Sequence, residues 1–145
     1  MRPEAVLLVG DFANINGGQA KVAIETTHLL AEAGIAVHFF AATGAPDKLL
    51  DHPRITVEIL CHADILSEPN RARAMLRGLW NGAAARWLHD QANRFDPATT
   101  VLHCHGYAKA LSPSIGPALT DGPLPSVYTM PRKMALAFFL ASCLR

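Results

Sequence analysis

Short apolar runs of strand length alternate along this chain with longer segments whose apolar residues recur at helical spacing. Ala5–Val9 is a Val/Leu run bounded by glycine, the pattern of a strand buried on both faces. A loop over Asp11–Gly18 follows it. Gln19–Ala33 then sets Val22, Ala23, Thr26, Leu29, Leu30 and Ala33 at helical spacing, with Lys21, Glu25 and Glu32 elsewhere; Gly34 suits the residue just past the helix end. Ala36–Ala42 reads as a second buried strand, polar only at His38. Thr43–Pro53 is a loop around one helical turn. Arg54–Leu60 alternates Ile55, Val57 and Ile59 with polar residues, as a strand near a sheet edge does.

Pro69–Phe95 reads as one long helix, with Ser67 as its cap and Pro69 in the first turn. Met75, Leu76, Leu79, Trp80, Ala83, Trp87 and Leu88 form its apolar stripe. Gly78 and Gly82, four apart, share a face that suits close packing. Asp96-Pro97 ends it. Thr99–Cys104 is a fourth strand. Pro113 and Pro117 leave room between Ala108 and Leu119 only for a short helix after Ser112. Asp121–Pro125 turns the chain into a fifth strand, Ser126–Met130.

Strands separated by helical segments predict an α/β fold with a mostly parallel sheet and right-handed crossovers. In the order 3-2-1-4-5, the first and fourth strands are neighbours and the crossover direction reverses between them. Ligands bind outside the strand ends at such a point. The loops ending in Gly17-Gly18 and in His103-Cys104-His105-Gly106-Tyr107 both fall there.

Composition narrows the classes. The 145 residues are half apolar and 17% charged, which argues against disorder and for one domain with a real core. A net charge of +1 gives no reason to expect a nucleic-acid partner. Arg71, Arg73, Arg77 and Arg86 crowd one segment, either as a solvated face or as a contact for anionic lipid headgroups at the inner face of a membrane. Three scattered cysteines, Cys61, Cys104 and Cys143, make no disulfide framework, and no secretory signal appears, so the expectation is a cytoplasmic protein.

Gly17-Gly18 at a helix start either admits a ligand to the backbone or makes a turn that only glycine can make. The GxGxxG and GxxxxGK[ST] spacings are absent, which disfavours the usual dinucleotide site and a P-loop. His103 and His105 leave one face of their strand and Cys104 the other. The two histidines either meet a ligand or are satisfied at a strand end. Two such ligands without a carboxylate or a Cys-x-x-Cys set make a poor metal site, and no metal or cofactor is expected. Lys21 is either a solvated helix charge or a group facing the crevice. Cys104 fits a small buried apolar residue better than a nucleophile. His28, His38, His52, His62 and His89 carry no assigned role.

VLLVGDFANINGGQAKVAIETTHLLAEAGIAVHFFAA, with its Gly-Gly loop, Lys21 and LAEAGIAV helix ending, resembles the opening of retaining family 4 glycosyltransferases of the GT-B type. VLHCHGY resembles the D-h-h-H-x-H element of that family. The resemblance runs from Val6 to Met130. It implies a Rossmann-like, acceptor-side N-terminal domain over residues 1–130, with helices on both sheet faces, and an atypical tail over 131–145. It also implies sugar transfer from a nucleotide-sugar to a sugar or lipid-linked acceptor. On this basis the substrate-binding residues are Gly17, Gly18, Lys21, His103, His105, Gly106 and Tyr107, and the catalytic residues are unassigned.

The donor-binding second domain of that family has no counterpart in the sequence. Pro131-Arg132-Lys133 stands where family members often have a histidine. Met134–Leu144 is apolar nearly all round, with no solvated face as a helix. The expectation is a truncated or frame-disrupted glycosyltransferase that diverges after Met130 and is inactive alone. The alternative is an acceptor-binding subunit whose tail pairs with a separate catalytic chain. A small hydrolase ranks below both, because no Gly-x-Ser-x-Gly turn occurs.

Overall fold

The computed structural model describes residues 3–60, 69–70, 72, 80–107, 111–116 and 123–128. Five strands form one parallel sheet: β1 (Ala5–Phe12), β2 (Ala36–Thr43), β3 (Ile55–Ile59), β4 (Thr100–Cys104) and β5 (Ser126–Tyr128). Their order is β3-β2-β1-β4-β5. The expected α/β, Rossmann-like architecture and the expected strand order are both present, with β3 at an edge.

Among the described residues, a helix packs on each face of the sheet. α1 (Gly18–Glu32) packs on Val6, Leu8, Val37, Phe39 and Ala41. α2 (Gly82–Ala92) packs on Leu7, Val9, Phe40, Leu102 and Cys104. These sets are successive residues of the same strands, so period-two alternation divides the apolar runs between two cores. Gly34, at φ 84°, ends α1 in the left-handed region, as expected. Asp47 caps a single 3-10 turn, Lys48–Leu50, within the loop between β2 and β3.

Three expectations are corrected. First, β1 does not stop at Val9: Gly10, Asp11 and Phe12 stay in the sheet because β2 continues alongside to Thr43, and Phe12 pairs with that residue. The loop is therefore Ala13–Gly17, pinned where the Ala13 N–H donates to the Thr43 carbonyl at 2.9 Å.

Second, α1 lays Ala20, Ala23, Ile24, Thr27 and Ala31 on the sheet, while Val22 and Leu29 are exposed. Ala20, Ala23 and Ala31 share the sheet-facing side with fully buried Ile24, while Val22 and Leu29, at about 100° per residue, fall on the side away from the sheet. The helix is held from both flanks. Gln19 reaches the His105 carbonyl just past β4. From the other flank, His28 meets the Leu49 carbonyl and Glu32 meets His52, both ahead of β3.

Third, the helix expected over Pro69–Phe95 is not continuous. Trp80 lies outside helix and is exposed, and Asn81 caps a new start by accepting from the Ala84 N–H. Gly82 is thus a first-turn residue rather than a mid-helix one, and Ala84 rather than Ala83 faces the core. Ser67, Arg71, Arg73, Met75, Leu76, Arg77, Gly78 and Leu79 lie outside the described residues, as do Thr129, Met130 and the tail over 131–145. Among the described residues, no helix is long and apolar enough to cross a membrane.

Candidate functional site

Between β1 and β4 the crossovers diverge, and the chain opens there into a pocket. Its walls are Gly10–Phe12 at the end of β1, Asn16–Ala20 with Ala23 at the head of α1, and His105-Gly106 after β4. The cavity volume is about 60 Å³. That holds one functional group of a ligand, since whole-ligand sites run to roughly 300–1,000 Å³. Of the residues selected from the sequence, Gly17, Gly18, His105 and Gly106 meet in this pocket.

The Gly-Gly pair answers no conformational demand. Gly17 has extended backbone (φ 163°), and neither glycine is left-handed. A Cβ on either would meet nothing within 4 Å. The turn that only glycine can make is therefore excluded. The absence of side chains leaves open space in front of the first backbone N–H groups of α1. That helix also begins without a side-chain cap and with no acidic residue in its first turn.

The opposite wall is held by backbone and by Gln19. The His105 N–H donates to the Val9 carbonyl at 2.9 Å, extending the β1–β4 pairing past the strand end. The Gln19 side-chain amide donates to the His105 carbonyl, tying α1 to the turn after β4. His105 is buried, 4% exposed, and its ring lies 4.2 Å from that of half-buried His103, centroid to centroid, at 40°. Burial pushes the His105 imidazole down to about 4, and the His103 charge adds to this. Burial also lowers His103. Both rings are neutral near pH 7, so they can exchange hydrogen bonds there but are poorly poised to shuttle protons.

Three expected residues lie elsewhere. Lys21 is exposed beside Glu25, at 3.7 Å, and does not line the pocket. His103 stands behind His105. Tyr107 turns to the other face and packs against the core beneath α2. Cys104 is buried on that face too; burial and then the Asp11 charge raise its thiol to about 12, outweighing a lowering backbone hydrogen bond from Gly106. It is inert as a nucleophile.

Two polar residues that sequence reading passed over hold this region together. One is Gln19. The other is Asp11, buried at the end of β1, whose Oδ1 accepts from the Leu111 N–H at 3.0 Å. That bond anchors the segment after the His-Gly-Tyr turn. Ser112, at φ 68°, and Ser114 then both accept from the Asn81 N–H, at 2.9 and 3.1 Å, and the Ser114 hydroxyl donates to the Asn81 carbonyl at 2.8 Å. Asp11 combined with Gly10 was visible as a polar residue ending an apolar run, but its partner is 100 positions away.

Among the described residues that wall the pocket, Asn16, Gln19 and His105 supply uncharged polar side chains, Asp11 is acidic with its Oδ1 accepting from the Leu111 N–H, and none is lysine or arginine. Among the described residues, no three His, Cys, Asp or Glu side chains are grouped as metal ligands. The arrangement can bind a hydrogen-bonding group; it holds no activated nucleophile. No protein-family model matches the chain, and no curated protein matches it.

Proposed function

We propose that this chain supplies the acceptor-side wall of a sugar-transfer cleft, as the N-terminal, Rossmann-like unit of a GT-B type glycosyltransferase. The observation that carries the reading is the Gly17-Gly18 pair. It lies at the ligand-binding end of the sheet, needs no glycine for its conformation, and leaves the head of α1 open to an incoming group. Neutral His105 and the amide side chains of Asn16 and Gln19 suit hydroxyl groups of a sugar. The missing nucleotide-binding contacts would come from a second domain or a partner chain, and the chain alone would not turn over a nucleotide-sugar.

The resemblance in VLLVGDFANINGG and VLHCHGY adds the substrate class: a nucleotide-sugar donor and a sugar or lipid-linked acceptor. The reading is tested by amide NMR of the full chain titrated with nucleotide-sugars and with free saccharides. Shifts should be confined to Gly17, Gly18, Gln19 and Gly106, and Gly18→Leu should abolish them while leaving the thermal midpoint unchanged. A folded chain that responds to none of these compounds would overturn the proposal.

A further inference from the structure

Trp80 is 57% exposed, and its place in the fold sets it apart from the exposed apolar residues of α1. The backbone beside it is firmly held. Asn81 is buried; its N–H donates to the Ser112 and Ser114 hydroxyls at 2.9 and 3.1 Å, and its carbonyl accepts from the Ser114 hydroxyl at 2.8 Å. Both serines lie downstream of β4, and Asp11 at the end of β1 holds Leu111 next to them. The head of α2, with Trp80 just ahead of it, is therefore at the same end of the sheet as the pocket. The pyrrole edge of the indole lies over the first turn of α2, where a Cβ on Gly82 would come 3.5 Å from Nε1 and 3.9 Å from Cδ1. Among the described residues no other ring contacts it. Trp87, by contrast, is half-buried and packs edge-on against Phe40, with centroids 5.2 Å apart. Single exposed apolar residues are ordinary. An indole set on a hydrogen-bonded base at the ligand end of the sheet is not.

We propose that Trp80 is a stacking platform for a sugar ring, a subsite beyond the pocket. The pocket, at about 60 Å³, admits one group of a ligand, so the remainder extends over the surface around it. A pyranose carries C–H groups on one face and hydroxyls round its rim. The C–H face meets the electron-rich face of an indole, while the hydroxyls stay in water. A single open aromatic face suits that division. A nucleobase, apolar on both faces, is better served by a slot closed from two sides. The fixed backbone at Asn81 also reduces the entropy lost when a ligand settles on the ring. The inference rests on the sugar-transfer reading for its ligand class, but its readout is separate from Gly17 and Gly18.

The sequence has two tryptophans, so Trp87→Phe leaves Trp80 as the one fluorescent reporter in the full chain. Titration of that variant with free glucose, mannose and their disaccharides should move the Trp80 emission to the blue. Iodide quenching should fall about twofold as one ring face is covered. Trp80→Ala should raise the saccharide Kd, read by calorimetry, about tenfold and leave the thermal midpoint unchanged. Trp80→Phe should recover part of that loss. If Trp87→Phe unfolds the chain, the indole N–H resonance that Trp80→Phe removes gives the same readout in the wild type. Pocket amides that shift while Trp80 stays silent overturn this inference and leave the sugar-transfer reading standing. A Trp80 response with silent pocket amides supports the platform and counts against the pocket. Silence at both overturns both. A response to uridine or adenosine monophosphate alone would make Trp80 a base site and overturns the inference.

Discussion

The side chain of Gln19 fills the space that a Cβ on Gly106 would need: that atom would lie 2.5 Å from Nε2 and 2.7 Å from Cδ. One polar side chain from the head of α1 therefore both bonds the turn after β4 and dictates which residue that turn can hold. Gly106→Ala should push Gln19 aside and break its bond to the His105 carbonyl, at a cost of about 1 kcal/mol. Gln19→Ala should cost a similar amount, and the double variant little more than either single one. Urea midpoints of the four proteins check this; strictly additive losses would mean that the two residues act separately.

The glycines divide into two kinds. Gly44 has φ 100°, and a Cβ there would press on the Asn14 side chain and come within 3.3 Å of the Ala13 nitrogen. Gly44→Ala should destabilise by about 1–3 kcal/mol. Gly18→Ala meets nothing and sits at a helix start, so it should be neutral or stabilising by up to about 1 kcal/mol. A loss of stability at Gly18 would mean that the pair serves the fold after all.

Acid should weaken the domain through the histidine pair. His105 and His103 bind protons less readily when folded than when unfolded, so the unfolded chain takes up more protons as pH falls below 6.5. Their contribution is complete above pH 6.5 and is lost progressively towards pH 4. His105→Gln should flatten the fall in stability across that window, by about 1–3 kcal/mol in total. Denaturation curves at several pH values would show it; an unchanged slope would refute the assignment.

Asp11→Asn should bring the Cys104 thiol below about 12, since the Asp11 charge is one cause of its elevation. Alkylation of native protein against pH reads this as an earlier onset. Asp11→Ala should in addition cost about 1–3 kcal/mol, because the Leu111 N–H loses its buried acceptor.

The sheet was legible because its apolar runs are short, dense and bounded by turn residues, and parallel order follows from the segments between them. The face of α1 was not. Hydropathy selects Val22 and Leu29, whereas close approach to the strands selects Ala20, Ala23 and Ala31. The start of α2 was hidden for a related reason. Trp80 fits the apolar period, and the available signal, Asn81 as a cap just ahead of Gly82, is weaker than that period. Of the pocket, Gly17, Gly18, His105 and Gly106 were readable as loop residues at strand ends. Gln19 and Asp11 were not, because their partners lie 86 and 100 positions away.

The serine hydroxyls that grip Asn81 also impose a sequence of events on folding. Asn81 opens α2, yet its backbone is satisfied from 31 and 33 residues downstream, across β4. Asp11 in turn holds Leu111, next to those serines, from the far end of the first strand. The closing of such long loops costs entropy before any bond repays it. The first turn of α2 is therefore finished only after β4 has joined β1, and the α2 side of the domain should mature later than the α1 side, whose helix connects adjacent strands.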